Sequence, residues 1–111
     1  MSTQNRLKTG STNTIEVENV RDDDAGVYAT NATAVASTAT NANALLDATK
    51  SIPIVALTVV YVAGTKGTWR GTVAPTVALL DGTAYYGRIT IVFNSGVSRR
   101  FDIPCVTSAD D

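Results

Sequence analysis

The sequence predicts an all-β fold, a small Greek-key β-sandwich of about seven short strands, from three observations. Thr, Val, Ile and aromatic residues recur along the chain, the types that pack well on a pleated surface. Gly, Asp, Asn and Pro interrupt them at short intervals, where a chain must turn. Several segments alternate apolar and polar residues with a period of two, the mark of a half-buried strand. With 111 residues, 44% of them hydrophobic, the chain suffices for one core and is too short for two. A single domain over residues 13–107 is expected, between a polar N-terminal arm (1–12) and an acidic tail (108–111).

Residues 1–12 are polar and without periodicity, and read as a flexible or partner-ordered arm. Their two cations, Arg6 and Lys8, have no apolar stretch behind them, so no cleavable secretory signal is expected and the mature chain is expected to start here. In TIEVENV (14–20), Ile15 and Val17 share one face and Glu16 and Glu18 the other, which predicts a strand. RDDDAG (21–26) then makes a turn.

The stretch VYATNATAVASTATNANALLDATK (27–50) mixes strand formers with alanine. Its Thr, Ser and Asn compete with helical backbone hydrogen bonds, and Ala32, Ala34 and Ala36 form a period-two face, so strand is favoured. A short helix around 41–48 is the alternative. ALLDAT (44–49) echoes ALLDGT (78–83), but six residues do not make a repeat.

IVALTVVYV (54–62) is apolar on both faces. It predicts a central core strand, or one whose outer face meets another subunit. The longest apolar run, 52–63, carries Pro53 and Thr58 and is well short of the roughly 20 residues a membrane-spanning helix needs, so a soluble protein is expected. GTKG (64–67) forms a hairpin loop into a strand at 68–73, with Trp69, Gly71 and Val73 on one face and Arg70 on the other. Pro75 ends it.

In LLDGTAYYGRITIVF (79–93), an Asp-Gly turn precedes a strand placing Tyr85, Gly87, Ile89, Ile91 and Phe93 on one face and Tyr86, Arg88, Thr90 and Val92 on the other. Tyr85, at the start of that strand, resembles the tyrosine corner of immunoglobulin-like and fibronectin type III sandwiches, whose phenol bonds back to the preceding backbone. Tyr85 is therefore read as structural, and Tyr86 as an outward-facing aromatic. A bend at Asn94-Ser95-Gly96 returns the chain as a strand over 97–103, and Pro104 suggests that this strand lies at an edge.

The composition narrows the chemistry. A net charge of -1 provides no field to gather nucleic acid or an anionic membrane. With no histidine and one cysteine there is no Cys/His zinc set, no internal disulfide and no histidine-activated nucleophile. Cys105, two residues beyond Ile103, reads as a small buried hydrophobe. Asp22-Asp23-Asp24 lacks the spaced oxygens of a calcium loop and reads as a solvated turn. The remaining carboxylates are expected in or beside turns or on outer faces, and GTKGTW lacks the spacing and context of a phosphate loop. No catalytic residue, metal site or cofactor is predicted.

What the charges do suggest is assembly. Arg70, Arg88 and Arg100 are predicted to point outward, while the Asp22–Asp24 turn and Asp110-Asp111 lie elsewhere. If the arginines of one copy met the aspartates of another, the contact would be heterologous, the kind that builds rings or lattices.

The succession NTIEVENVRDDDAGVYATNATA, VVYVAGTKGTWRGTV, LLDGTAYYGRITI and SRRFDIPCVT resembles small immunoglobulin-like structural proteins of tailed bacteriophages. The likeness rests on an early strand ending in an Arg-Asp turn, a Tyr and an Asn-Ala-Thr leading into the next strand, a Gly-Thr-x-Gly-Thr-aromatic-Arg-Gly hairpin and a Tyr-led strand. It covers roughly residues 12 to 107. It implies a non-enzymatic virion role, in capsid decoration, the head-tail neck or the baseplate. The implied partners are capsid, connector or tail subunits, in many copies, in a particle assembled in the host cytoplasm, with neither membrane nor nucleic acid as a direct partner. Candidate contacts are Arg6, Lys8, Arg70, Arg88 and Arg100. The alternative is a carbohydrate- or receptor-binding module of the same fold, with Trp69 and Tyr86 as stacking platforms.

Overall fold

The computed structural model describes residues 5–8, 10–22 and 26–108. Within them lie eleven strands: β1 (Asn5–Lys8), β2 (Asn13–Val17), β3 (Arg21–Asp22), β4 (Val27–Tyr28), β5 (Ala34–Ala36), β6 (Ala44–Asp47), β7 (Pro53–Ala56), β8 (Thr58–Tyr61), β9 (Trp69–Val73), β10 (Ala84–Phe93) and β11 (Ser98–Ser108). The larger sheet runs β1-β11-β10-β6-β7, and β5 also pairs with β10; the smaller runs β2-β9-β8, and β3-β4 form a separate pair. The all-β expectation is met. Among the described residues there is no helix, so none long and apolar enough to cross a membrane, and 44–47 is strand.

β10 is the axis of the larger sheet, and its burial alternates as expected: Tyr85, Gly87, Ile89, Ile91 and Phe93 are buried, and the residues between them are not. β2 and β9 of the smaller sheet alternate likewise, burying Asn13, Ile15 and Val17, and Trp69, Gly71 and Val73. Both inner faces feed one core, which also takes Leu7, Leu45 and Cys105. Each large aliphatic side chain buried there stabilises the fold by roughly 1.5–3 kcal/mol. Gly87 sets how closely the sheets approach. A Cβ at that position would lie 2.6 Å from Cδ1 of Ile15.

Along its other edge β10 meets two short strands instead of one long one: β6 pairs with 85–88 and β5 with 91–93. Asn43 bridges the gap. Its Oδ1 accepts the Thr90 N–H at 2.7 Å, its Nδ2 donates to the Ser37 carbonyl at 2.6 Å, and Ser37 N–H donates to the Thr90 carbonyl at 2.9 Å. The ladder of β10 is thus continued through a side chain where the 37–43 loop bulges away.

Tyr85 behaves as a corner tyrosine. Its hydroxyl reaches back across the Asp81-Gly82 turn and accepts the Leu80 N–H at 3.1 Å. Buried Thr107 ties the same corner to β11, since its hydroxyl accepts the Thr83 N–H at 3.1 Å and its carbonyl accepts the Gly82 N–H at 3.0 Å.

Three expectations need correction. The segment 54–62 is not one central strand, because the chain changes sheets at buried Leu57, leaving β7 at the edge of the larger sheet and β8 at the edge of the smaller. The hairpin with β9 is accordingly confined to β8, from Thr58↔Thr72 to Tyr61↔Trp69. The second correction concerns the arm, of which residues 5–8 are not an arm at all. They pair in parallel with 105–108 of β11, and Leu7 is fully buried, which offsets the entropy of ordering this polar segment. Third, β11 does not stop before Pro104 but continues to Ser108. Counting from the Phe93 N–H to Val97 carbonyl bond, the antiparallel ladder alternates so that residue 104 turns its backbone nitrogen away from β10, and β1 pairs only from Cys105 onward. Proline therefore costs no bond to β10. Ala34 is buried as part of the small-residue face, but Ala32 sits exposed in a turn before β5. Asp23, Asp24 and the acidic tail beyond Ser108 lie outside the described residues.

The hairpin tip yields a test. Gly64 and Gly67 both have positive φ, 81° and 80°, but a Cβ at 64 would meet nothing, whereas one at 67 would lie 2.5 Å from the Val20 carbonyl oxygen. Gly64→Ala is expected to cost about 1 kcal/mol, the conformational penalty alone, and Gly67→Ala at least about 1 kcal/mol more, in urea unfolding.

Candidate functional site

The three strand arginines are engaged within the chain. Arg70 Nε meets Glu16 Oε2 at 2.6 Å across β9 and β2, both side chains being substantially exposed. Such a pair contributes about 0–1 kcal/mol. Arg88 and Asp102 face each other across β10 and β11, with Nε to Oδ1 at 2.8 Å, and their side chains are only 17% and 12% exposed. Arg100 Nη2 lies 3.5 Å from the same carboxylate. Burial acts to raise the Asp102 pKa, but the hydrogen bond from Arg88 and the charges of Arg88, Arg100 and Lys50 outweigh it, so the carboxyl stays below its ordinary value. Arg6 and Lys8 are exposed on β1, and the Lys8 backbone is tied to Asn13, whose Oδ1 accepts its N–H at 2.8 Å.

The aromatic pair does not form a stacking platform. Trp69 is 3% exposed, its Nε1–H donates to the Ala29 carbonyl at 2.9 Å, and its ring packs at 5.5 Å against Tyr61. The reason is its place on β9 beside Gly71, on the face that meets the larger sheet. Tyr86 does face outward, but the Lys50 ammonium stands 4.5 Å from its ring centroid. Beside Tyr86 across the strand pair, Leu46 is buried as well, so this outer face is partly closed by the 47–52 turn. Asp47 organises that turn, accepting from the Thr49 hydroxyl and the Ser51 and Ile52 N–H groups. Thr49 chiefly holds its carboxyl below the usual range.

Cys105 is fully buried, as read from its spacing, and burial pushes its thiol up to about 11. Two carboxylates are more enclosed than a turn or an outer face implies. Asp102 is one. Asp22 is the other, 3% exposed and accepting from the Ser95 hydroxyl at 3.0 Å. The Arg88–Asp102 pair could have been read from the hairpin register, since a ladder that closes at Phe93 and Val97 sets 88 opposite 102. Nothing in the sequence marks Asp22 as meeting Ser95, 73 residues away.

Several of the exposed large hydrophobic residues lie along or beside strand edges. A groove of about 360 Å³ lies between β5 and β8, lined by Asn31, Ala34, Val35, Ala36, Val59, Val60, Tyr61 and Trp69. Val35 and Val60 are 59% and 52% exposed, and Ile52 and Ile54 extend the exposed apolar surface along the run into β8. Among the described residues no strand pairs with the outer edge of β8. This arrangement has the features of a protein-contact surface: unpaired backbone groups beside apolar side chains. No protein-family model, curated protein or solved structure matches the chain.

The ion pair predicts a pH dependence. Because the folded pKa of Asp102 is depressed, its contribution to stability is present above the unfolded value of 3.8 and is lost as pH falls through the folded value. Arg88→Met is expected to cost about 1–3 kcal/mol at pH 7 and to flatten the loss of stability as the pH falls below the unfolded value of 3.8, as read by chemical denaturation at each pH.

Proposed function

We propose that the chain is a non-enzymatic structural protein of a tailed-bacteriophage particle, a capsid decoration or head-tail neck component, acting through protein-protein contacts. Its fold on this reading is an immunoglobulin-like or fibronectin III-like Greek-key β-sandwich. The tyrosine corner supports that fold, as do two sheets sharing one core. The observation that carries the function is the division of labour in the side chains. Arg70, Arg88 and Arg100 pair with carboxylates of the same chain and Trp69 and Cys105 are buried, while the outward surface offers open strand edges and exposed valines and isoleucines. Such a body serves contact more readily than turnover. Many copies around a symmetric particle would each present the same edges to capsid, connector or tail subunits.

The burial of Trp69 weighs against the carbohydrate-stacking reading, and the arginine pairings shift the expected contacts from charge to strand edges. Co-sedimentation of the purified protein with purified capsids and connectors, quantified by stained gel, tests the proposal. Saturable binding at a fixed copy number per particle is expected. Recovery of all the protein in the supernatant across a range of particle concentrations would contradict it.

A further inference from the structure

β8 carries its own recognition code. The Val62 N–H donates to the Thr68 carbonyl at 2.9 Å, which makes 62 and 68 a hydrogen-bonded pair, and alternation along the ladder gives the same role to 60 with 70 and 58 with 72. The backbone groups of Val59 and Tyr61 therefore point the other way, off the sheet. They offer two donors and two acceptors, two residues apart, a row that a second extended strand can satisfy in full.

The charge pattern suits a copy of the same strand. From Ser51 to Thr65 the chain carries no charge, so β8 has none of the lysines that commonly guard an edge strand. The nearest charge on its neighbour, Arg70, is neutralised by Glu16. Nothing on this edge repels a copy of itself. A two-fold axis through Val60 would also set Val59 of each chain opposite Tyr61 of the other, so that all four outward groups on each chain find partners. On one face Val60 would meet Val60 and Thr58 would meet Val62; on the other, Val59 would meet Tyr61. Apolar and β-branched pairs of this kind are the favourable ones across strands.

We infer that the protein forms a two-fold dimer by antiparallel pairing of β8 with β8 of a second copy, joining the two smaller sheets into one six-stranded sheet centred on Val60. The inference does not rest on the virion reading, and either can fail without the other.

The register makes it testable by cross-linking. Val60 with Val60 would be a non-hydrogen-bonded pair, with Cα atoms about 4.5 Å apart, inside the range a disulfide spans. Thr58 would be about 13 Å from its counterpart, too far. Cys105 is buried and does not compete. Under mild oxidation Val60→Cys is expected to become a covalent dimer and Thr58→Cys to remain single chains. In light scattering the unmodified protein is expected at twice the chain mass, with Val60→Lys, which opposes two ammonium groups on the axis, dissociating about tenfold more readily. The inference is overturned if the unmodified protein stays at single-chain mass at concentrations near 1 mM, or if Thr58→Cys cross-links as readily as Val60→Cys.

Discussion

The structure depends on the inner face of β10. This ten-residue strand supplies Tyr85, Ile89, Ile91 and Phe93 to the core, and at Gly87 it leaves out a side chain so that Ile15 of the opposite sheet can come into contact. Each other element is placed relative to that strand. β11 pairs with it from Ala84 to Val92, β6 and β5 share its other edge, and Asn43 fills the interval between them. The Tyr85 hydroxyl and Thr107 then fix the corner from which β10 starts. Because such packing is dense and its polar groups are paired, the centre is rigid, and adaptable surface is left to the periphery.

The periphery shows what the centre implies. One chain segment, 53–61, borders both sheets because it crosses between them at Leu57, and it takes the edge position in each. An edge strand that is neither covered nor charged is open to pairing with another chain. β8 carries no charge, and its Val59 and Val60 line an open groove together with Val35 of β5. The dimer proposal arises from the edge of β8, and the functional proposal from the exposed apolar residues and open edges of the body as a whole.

Much of the fold was legible in the sequence. The alternation in β2, β9 and β10, the Tyr85 corner and the burial of Cys105 follow from local pattern, since a period of two is a property of the strand itself. The misreadings were of position in the sheet. An apolar run such as 54–62 looks the same in the centre of a sheet as it does at two edges joined by a crossing, because the difference lies in partners remote in sequence. The segment 5–8 looked like an arm because only Leu7 is apolar, yet one fully buried leucine and a parallel ladder suffice to dock it. For the candidate site, outward arginines were read correctly as strand-face residues at 70 and 100. The Arg70–Glu16 pair is hidden in the sequence because it depends on how strands 54 residues apart align, and the pattern gives Trp69 a face without showing what covers it.

Amide hydrogen exchange followed by NMR over a range of protein concentrations tests the central claim most directly, that a rigid centre presents a pairing-competent edge. The account predicts slow exchange throughout β10 at every concentration, including Thr90 under its Asn43 acceptor, while Val59 and Tyr61 exchange fast when dilute and become protected as concentration rises. Fast exchange at Val59 and Tyr61 at every concentration, or exchange in β10 as fast as at the edge, would contradict it.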